Sequence, residues 1–368
     1  MFAKGPLDWI EKTGRLHMEF IATSRYRQGK FDSPIVFESL KKLAKIKVSQ
    51  KLESIDSPDN LKLLDTYAAE GMKIVPIART SSKDWSKRTE FPNRILLELT
   101  SRCNLACRMC PRHNLTRPYI DFDKDLYLKV VDELDQHGVE GIWLFHLGEP
   151  ILHPQWKEIV TYVGSKKNIG MIWFSSNGVK FDQASADFVL DSNISFMNYS
   201  LHGTNAKTFG VVSPKALYRT VRRNLEYMLR RKKELGRGPT MHIQMIDQEG
   251  THDNIDEFLE TFYETGEIVS INTLEYANLP NNAYGLTRER NQVSSCKRIS
   301  RGDCFIVSNG DIQPCDATYN SEILLGNVKD QSVSAIWNGE VRRTMVDLNA
   351  KGELNKNEYC SKCTDFDL

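Results

Sequence analysis

The chain has 368 residues, with 49 Lys and Arg against 48 Asp and Glu, 40% hydrophobic and 26% charged residues. Those proportions belong to a folded globular protein of two or three domains and exclude a disordered chain, and a net charge of +1 gives no global attraction to nucleic acid or to an anionic membrane. No stretch approaches the ~18 consecutive apolar residues of a membrane span and the N-terminus has no signal-peptide pattern, so a cytoplasmic protein is expected, whose eight cysteines are better metal ligands than disulfides.

Residues 1–90 carry helical stretches, Pro34 to Leu52 and Asn60 to Met72 among them, and are expected to form a helical N-terminal extension. From about residue 91 the texture changes. Strand-like runs at Arg94 to Thr100, Gly141 to Leu147, Met171 to Ser176, Ile194 to Leu201, Met241 to Ile246 and Ile268 to Tyr276 alternate with helix-length segments. Such alternation predicts right-handed βαβ units and an α/β fold with a parallel sheet.

Strand phase chooses between a doubly wound sheet and a barrel. Asn198, Ser200 and His202 share one face of their strand, His242 and Gln244 one face of theirs, Glu98 and Thr100 a face of the first, and His146 is in phase with Gly148. One sheet face is therefore polar, as in an open barrel lining a cavity, so residues 91–290 are expected to form a partial (β/α)6 TIM-type barrel. His146, His202, His242, Gln244 and Glu98 are candidates to touch a polar substrate there, with Glu275 and Tyr276 behind them. Between Arg219 and Arg237 eight basic residues face two acidic ones; on a barrel-exterior helix with few stacking aromatics this reads as a solvated face, and nucleic acid is disfavoured as a partner.

After Arg290 the chain is rich in cysteines and turns, with a hairpin-like FIVSNGDIQPC and a helix around Ser334 to Leu348, so residues 291–368 are expected to form a small metal-stapled domain.

Cys103, Cys107 and Cys110 form C-x3-C-x2-C immediately after the first strand, where barrel loops build active sites. Three thiolates on one loop leave one coordination position open, which suits a [4Fe-4S] cluster with one exchangeable iron better than a closed zinc site. Here the sequence resembles the radical S-adenosylmethionine (radical SAM) enzymes. Gly148-Glu149-Pro150 looks like the family's Gly-Glu-Pro turn for the SAM ammonium, Ser176-Asn177-Gly178 like its (Ser/Thr)-Asn-Gly, and Ser200-Leu201-His202-Gly203 like the Ser-Leu-Asp-Gly after the fourth strand. Met109 stands where an aromatic residue usually precedes the last cysteine, and Val211 and Val212 stand near the usual arginine for the SAM carboxylate. The resemblance implies that Cys103, Cys107 and Cys110 bind a [4Fe-4S] cluster and that Met109, Gly148, Glu149, Pro150, Ser176, Asn177, Ser200 and His202 contact SAM. It also implies reductive SAM cleavage to a 5'-deoxyadenosyl radical, fed by an electron donor such as flavodoxin or ferredoxin.

Cys296, Cys315, Cys360 and Cys363, with Asn309-Gly310, Leu325-Gly326-Asn327-Val328 and Ala335-Ile336-Trp337-Asn338-Gly339 between them, resemble the SPASM/twitch auxiliary-cluster domains of the same superfamily. Four cysteines imply the shortened twitch type with one auxiliary [4Fe-4S] cluster, and a four-cysteine zinc ribbon is the alternative. Cys304 is left over. It is a buried thiol, a substitute ligand, or a catalytic hydrogen-atom donor that would make the enzyme an epimerase.

The expected activity is hydrogen abstraction from a carbon of a small polar metabolite (a sugar, an aminocyclitol or another alcohol), followed by epimerisation or two-electron oxidation. The second reading is a maturase acting on a ribosomally made peptide.

Overall fold

The structure, a computed structural model, describes residues 90–273, apart from 249, 264 and 266, and 293–363. The helical extension expected over residues 1–90 lies, up to residue 89, outside the described residues, as do Glu275 and Tyr276. The described residues divide into two compact units, one containing residues 176–273 and the other residues 90–175 with 293–363.

In the second of these units the parallel strands β1 (Arg94–Leu97), β2 (Val139–Trp143) and β3 (Ile169–Ser176) alternate with helices α1 (Lys124–His137) and α2 (Trp156–Gly164). Asp123 starts α1 by accepting the Leu126 N–H at 2.9 Å, and Gly138, at φ 72°, ends it in a conformation that favours glycine. One sheet face packs under the helices: Ile95, Leu97, Ile142, Leu144, Ile172 and Phe174 are fully buried, Trp156 of α2 stacks on Phe174, and the Tyr127 hydroxyl of α1 donates to Leu97 O at 3.1 Å. Each such side chain contributes about 1.5–3 kcal/mol of apolar burial. The opposite face carries Leu96, Trp143 and Trp173 in one register row, the two indoles stacked at 5.1 Å.

The C-terminal segment joins this same sheet. Strand β7 (Asp303–Ile306) runs parallel to β1, with Arg94 opposite Asp303 and Leu97 opposite Ile306, and then turns antiparallel into β8 (Asp311–Gln313) and β9 (Gly326–Asn327). The hairpin read in the sequence is present, and its pairing with β1 is the addition.

The unit of residues 176–273 holds β4 (Phe196–Ser200), β5 (Thr240–Asp247) and β6 (Ile268–Thr273), all parallel. Asn198 lies opposite His242 and Ser200 opposite Gln244, which puts the polar residues on one face. Tyr199, on the other face, donates its hydroxyl to Val221 O at 2.8 Å in the helix Tyr218–Leu235. In the basic run, Arg222, Arg230, Arg231 and Lys232 on that helix and Arg237 just past its end each have a carboxylate partner within the unit, in line with a solvated face.

Several boundaries differ from the sequence reading, three of them for reasons visible in the structure. The first strand ends at Leu97 instead of Thr100, because the Glu98 side chain is drawn into an ion pair and Thr100 makes only an isolated bridge to Asp121. The second ends at Trp143 instead of Leu147, since the chain leaves the ladder to bring Gly148 against Thr100. The single helix expected over Ser334 to Leu348 is two, Val333–Trp337 and Glu340–Ala350, parted at Asn338-Gly339, where Gly339 is extended and starts the second helix. Among the described residues no helix is long and apolar enough to cross a membrane.

Candidate functional site

The three-cysteine loop leaves β1 through Thr100 and Ser101. The Ser101 hydroxyl donates to Pro118 O at 2.9 Å and accepts the Ile120 N–H at 2.8 Å, closing the loop at its base. Arg112 spans it by donating to Leu105 O at 2.7 Å, and the Cys110 N–H donates to Cys107 O at 3.0 Å. All three thiols are partly buried. Burial, with Cys107 nearby, pushes the Cys110 thiol up to about 11. Burial and then Glu149 push Cys103 up to about 12. The donor set therefore consists of three soft ligands held on one short loop, a fit for an iron–sulfur cluster.

Gly148-Glu149-Pro150 is docked against that loop. A Cβ on Gly148 would stand 1.8 Å from Thr100 O, so only glycine allows the approach, and the Glu149 N–H donates to Arg102 O at 2.8 Å. Glu149 is buried and acts electrostatically on Cys103, and Met109 is buried in the same unit. The loop of Cys103, Cys107 and Cys110 and the Gly148-Glu149-Pro150 turn thus lie docked side by side, with Met109 on the cysteine loop.

In the other unit Ser176, Asn177 and Gly178 form a tight turn. Ser176 Oγ accepts the Gly178 N–H and Asn177 Oδ1 the Val179 N–H, both at 3.0 Å. Gly178 sits at φ 77° with a would-be Cβ 2.2 Å from the Tyr199 hydroxyl, so no other residue fits that turn. Ser200 ends β4 beside Gln244, and His202 follows, buried, with no hydrogen-bond partner for its Nδ1 among the described residues. Burial lowers the His202 pKa to about 4, so its imidazole is neutral at ordinary pH.

Cys296, Cys360 and Cys363 pack around one small core of Val293, Ile323, Met345 and Leu354. Cys315 reaches the group through Tyr359, which it influences electrostatically together with Cys363. Asn357 Oδ1 accepts the N–H groups of Tyr359 and Cys360 at 3.1 and 3.0 Å, shaping the C-x2-C turn, and Asn349 accepts the Cys296 N–H at 2.6 Å. Three of the four thiols pack on one small core, and among the described residues they are not drawn together into a formed metal site; it is their number and their soft donor type that fit a cluster.

Two sequence-level candidates stand elsewhere. Cys304 is fully buried in β7, in register with Ile95 and so on the helix-covered face, where burial drives its thiol pKa well up and Arg342 is its nearest cationic influence. That is not the barrel-mouth position that hydrogen-atom donation calls for. Glu98 is not a free cavity carboxylate. Its oxygens take Arg117 at 2.8 and 2.9 Å, the Ser308 N–H at 2.9 Å and the Leu147 N–H at 3.3 Å, and His146 lies 3.7 Å away. Burial pushes the Glu98 carboxyl up, and Arg117, the foremost opposing influence, holds it below the usual range. Sequence reasoning misses Arg117, which stands in no periodic segment or motif, and Ser308, which lies in the hairpin read from the sequence but whose pairing with Glu98 is long-range; the signal available for the first is an arginine seven residues after the last cysteine of the loop.

Comparison with known proteins identifies both domains. Residues 97–271 match the radical SAM superfamily, and residues 296–364 match the iron–sulfur cluster-binding SPASM domain. The chain is 22% identical over 321 residues to the tungsten-containing aldehyde ferredoxin oxidoreductase cofactor-modifying protein of Pyrococcus furiosus, covering 74% of this chain and 87% of that one. It is 22% identical over 332 residues to the mycofactocin maturase of Mycolicibacterium smegmatis, covering 80% and 81%. Among solved structures, Streptococcus suis SuiB bound to the precursor peptide SuiA aligns with a TM-score of 0.56 at 12% identity, covering 88% of this chain and 78% of that one. Native anSMEcpe with bound AdoMet aligns at 0.53 and 15%, covering 74% and 87%. The fold these share is the partial barrel expected from the strand pattern.

Proposed function

The chain belongs to the radical SAM superfamily and carries a C-terminal SPASM domain, and from that premise we propose that it abstracts hydrogen from a carbon of a small polar metabolite and completes a two-electron oxidation there. When bound, SAM on the first cluster supplies the 5'-deoxyadenosyl radical and an auxiliary cluster supplies a one-electron acceptor. Every other task falls to the chain. Cys103, Cys107 and Cys110 hold the first cluster, and Glu149, beside Cys103, is suited to the SAM ammonium through a charge-assisted hydrogen bond. Met109, Gly148 and Pro150, on the same docked loop and turn, and Ser176, Asn177, Ser200 and His202 are proposed as further SAM contacts. Cys296, Cys315, Cys360 and Cys363 hold one auxiliary [4Fe-4S] cluster.

The observation that carries the substrate class is the register of β4 and β5, which lays Asn198, Ser200, His242 and Gln244 on one face, opposite the helix-covered Tyr199. Such a face offers donors and acceptors to hydroxyl or amino groups. Oxidation is favoured over epimerisation because epimerisation needs a hydrogen donor on the far side of the carbon, and Cys304 is buried on the helix-covered face of β7. A peptide substrate is the second reading, supported by similarity to the mycofactocin maturase along 80% of this chain.

The test is anaerobic turnover of the reconstituted enzyme with SAM, dithionite and a panel of cyclitols and amino sugars in deuterated water. Loss of two hydrogens from a panel member, with one 5'-deoxyadenosine per product, supports the proposal. A product of unchanged oxidation state carrying one non-exchangeable deuterium restores the epimerase reading, and turnover of peptides alone favours the maturase.

A further inference from the structure

The loop that carries the first three cysteines and the loop that carries Cys315 are tied together by side chains assigned no role so far. The segment following Cys110 includes Asn114, Thr116 and Arg117; the segment following Cys315 includes Thr318, Tyr319 and Asn320. The Asn320 amide spans the gap between them twice, its Nδ2 donating to Asn114 O at 2.9 Å and its Oδ1 accepting the Thr116 N–H at 2.7 Å. Arg117 Nε donates to Tyr319 O at 2.8 Å and its Nη1 to Ser308 Oγ at 3.0 Å. Glu98 closes the arrangement by accepting from both Arg117 and the Ser308 N–H. Tyr319, four residues beyond Cys315, lies close enough to Cys110 for that thiol to influence its hydroxyl.

We propose that Asn320 and Arg117 are positioning residues that brace the auxiliary-cluster loop against the SAM-cluster loop, so that how firmly each site holds its cluster depends on whether the other is filled. A cluster orders the loop that ligates it, and loops joined by several hydrogen bonds share that order. Coupling of this kind is reciprocal. Asn320 is the better probe, because it carries no charge and its backbone N–H has a separate partner in Glu322, so its amide can be removed without stranding an ion. The inference rests on the two cluster sites alone and is independent of the substrate reading.

The experiment is a double-mutant cycle on the full, anaerobically reconstituted chain. The four proteins are wild type, Asn320→Ala, the triple variant Cys103→Ala/Cys107→Ala/Cys110→Ala, and the triple variant with Asn320→Ala. Release of auxiliary-cluster iron to an iron(II) chelator is followed, with the auxiliary cluster identified by its electron paramagnetic resonance signal. The triple variant should assemble that cluster and release its iron about 3- to 10-fold faster than wild type, the scale of one or two net hydrogen bonds. In the Asn320→Ala background, emptying the first site should change the rate by less than half as much on a logarithmic scale. Equal rates in wild type and the triple variant overturn the proposal, as does an acceleration of the same size in both backgrounds. Should Asn320→Ala fail to fold, Asn320→Asp, which keeps the acceptor for Thr116 and loses the donor to Asn114, replaces it in the same cycle.

Discussion

Glu98 and Arg117 meet as a bidentate pair, two nitrogen–oxygen contacts of 2.8 and 2.9 Å, with both side chains almost wholly withdrawn from water. A carboxylate placed there without its guanidinium is an uncompensated buried charge, the costly half of a buried salt bridge.

Arg117→Met should therefore lower stability by about 3–5 kcal/mol near neutral pH. The pH dependence has a definite sign. In wild type the folded-state pKa of Glu98 is depressed, so its contribution is present above the ordinary carboxylate range and is lost as pH falls through the lower folded value. Without Arg117 the burial that raises the carboxyl's pKa is unopposed, the folded state binds the proton more readily than the unfolded one, and stability rises as pH falls through the raised folded value toward the ordinary carboxylate one. Urea denaturation from about pH 7.5 to about pH 5 should show the gap between the two proteins narrowing; a constant gap would mean that Glu98 is not the group responsible.

Gly148→Ala puts a methyl group into Thr100 O, where only 1.8 Å is available. The Gly-Glu-Pro turn must then move off the cysteine loop, and SAM affinity should fall by at least about tenfold, the equivalent of about 1.4 kcal/mol. Glu149→Ala should also weaken SAM binding while iron content stays at the wild-type level. Equilibrium dialysis with labelled SAM, alongside iron counting, distinguishes lost binding from lost cluster.

His202 offers a second pH signature. Its pKa, lowered to about 4 by burial, lies below the ordinary value near 6.5, so the unfolded chain binds the proton first and stability falls as pH drops through that interval, by up to about 3 kcal/mol. His202→Gln should flatten the stability profile between about pH 7 and about pH 5. A profile as steep as wild type would trace the slope to other groups.

Cys304→Ala should keep 5'-deoxyadenosine formation and product yield, and cost about 1 kcal/mol through the small cavity left beneath the helices. Loss of product with continued SAM cleavage would return Cys304 to the reaction.

The six strands of the barrel are legible because apolar runs alternate with helix-length segments, and the polar face is legible because Asn198, Ser200, His242 and Gln244 keep period two. What local pattern does not carry is long-range pairing. Phase alone makes Glu98 a cavity-lining residue, whereas its acceptor sites are taken by Arg117, Leu147 and Ser308 from three other places in the chain. Cys304, next to cysteine ligands in sequence, is assigned its face by register with Ile95, and nothing near residue 304 announces that register. The division of the last helix at Gly339 is available in the sequence, since a glycine inside a helical run is a marker of interruption.

The parallel pairing of β7 with β1 also shapes how the chain acquires its fold. Ser308 and Glu98 are separated by 210 positions, so the flank of β1 stays open until the C-terminal segment arrives, presenting unsatisfied N–H and C=O groups in the meantime. A nascent chain, or a fragment cut near residue 290, holds a templating edge beside the apolar side chains of Ile95 and Leu97. Self-association at that edge is then expected to compete with folding until the C-terminal segment docks and covers it.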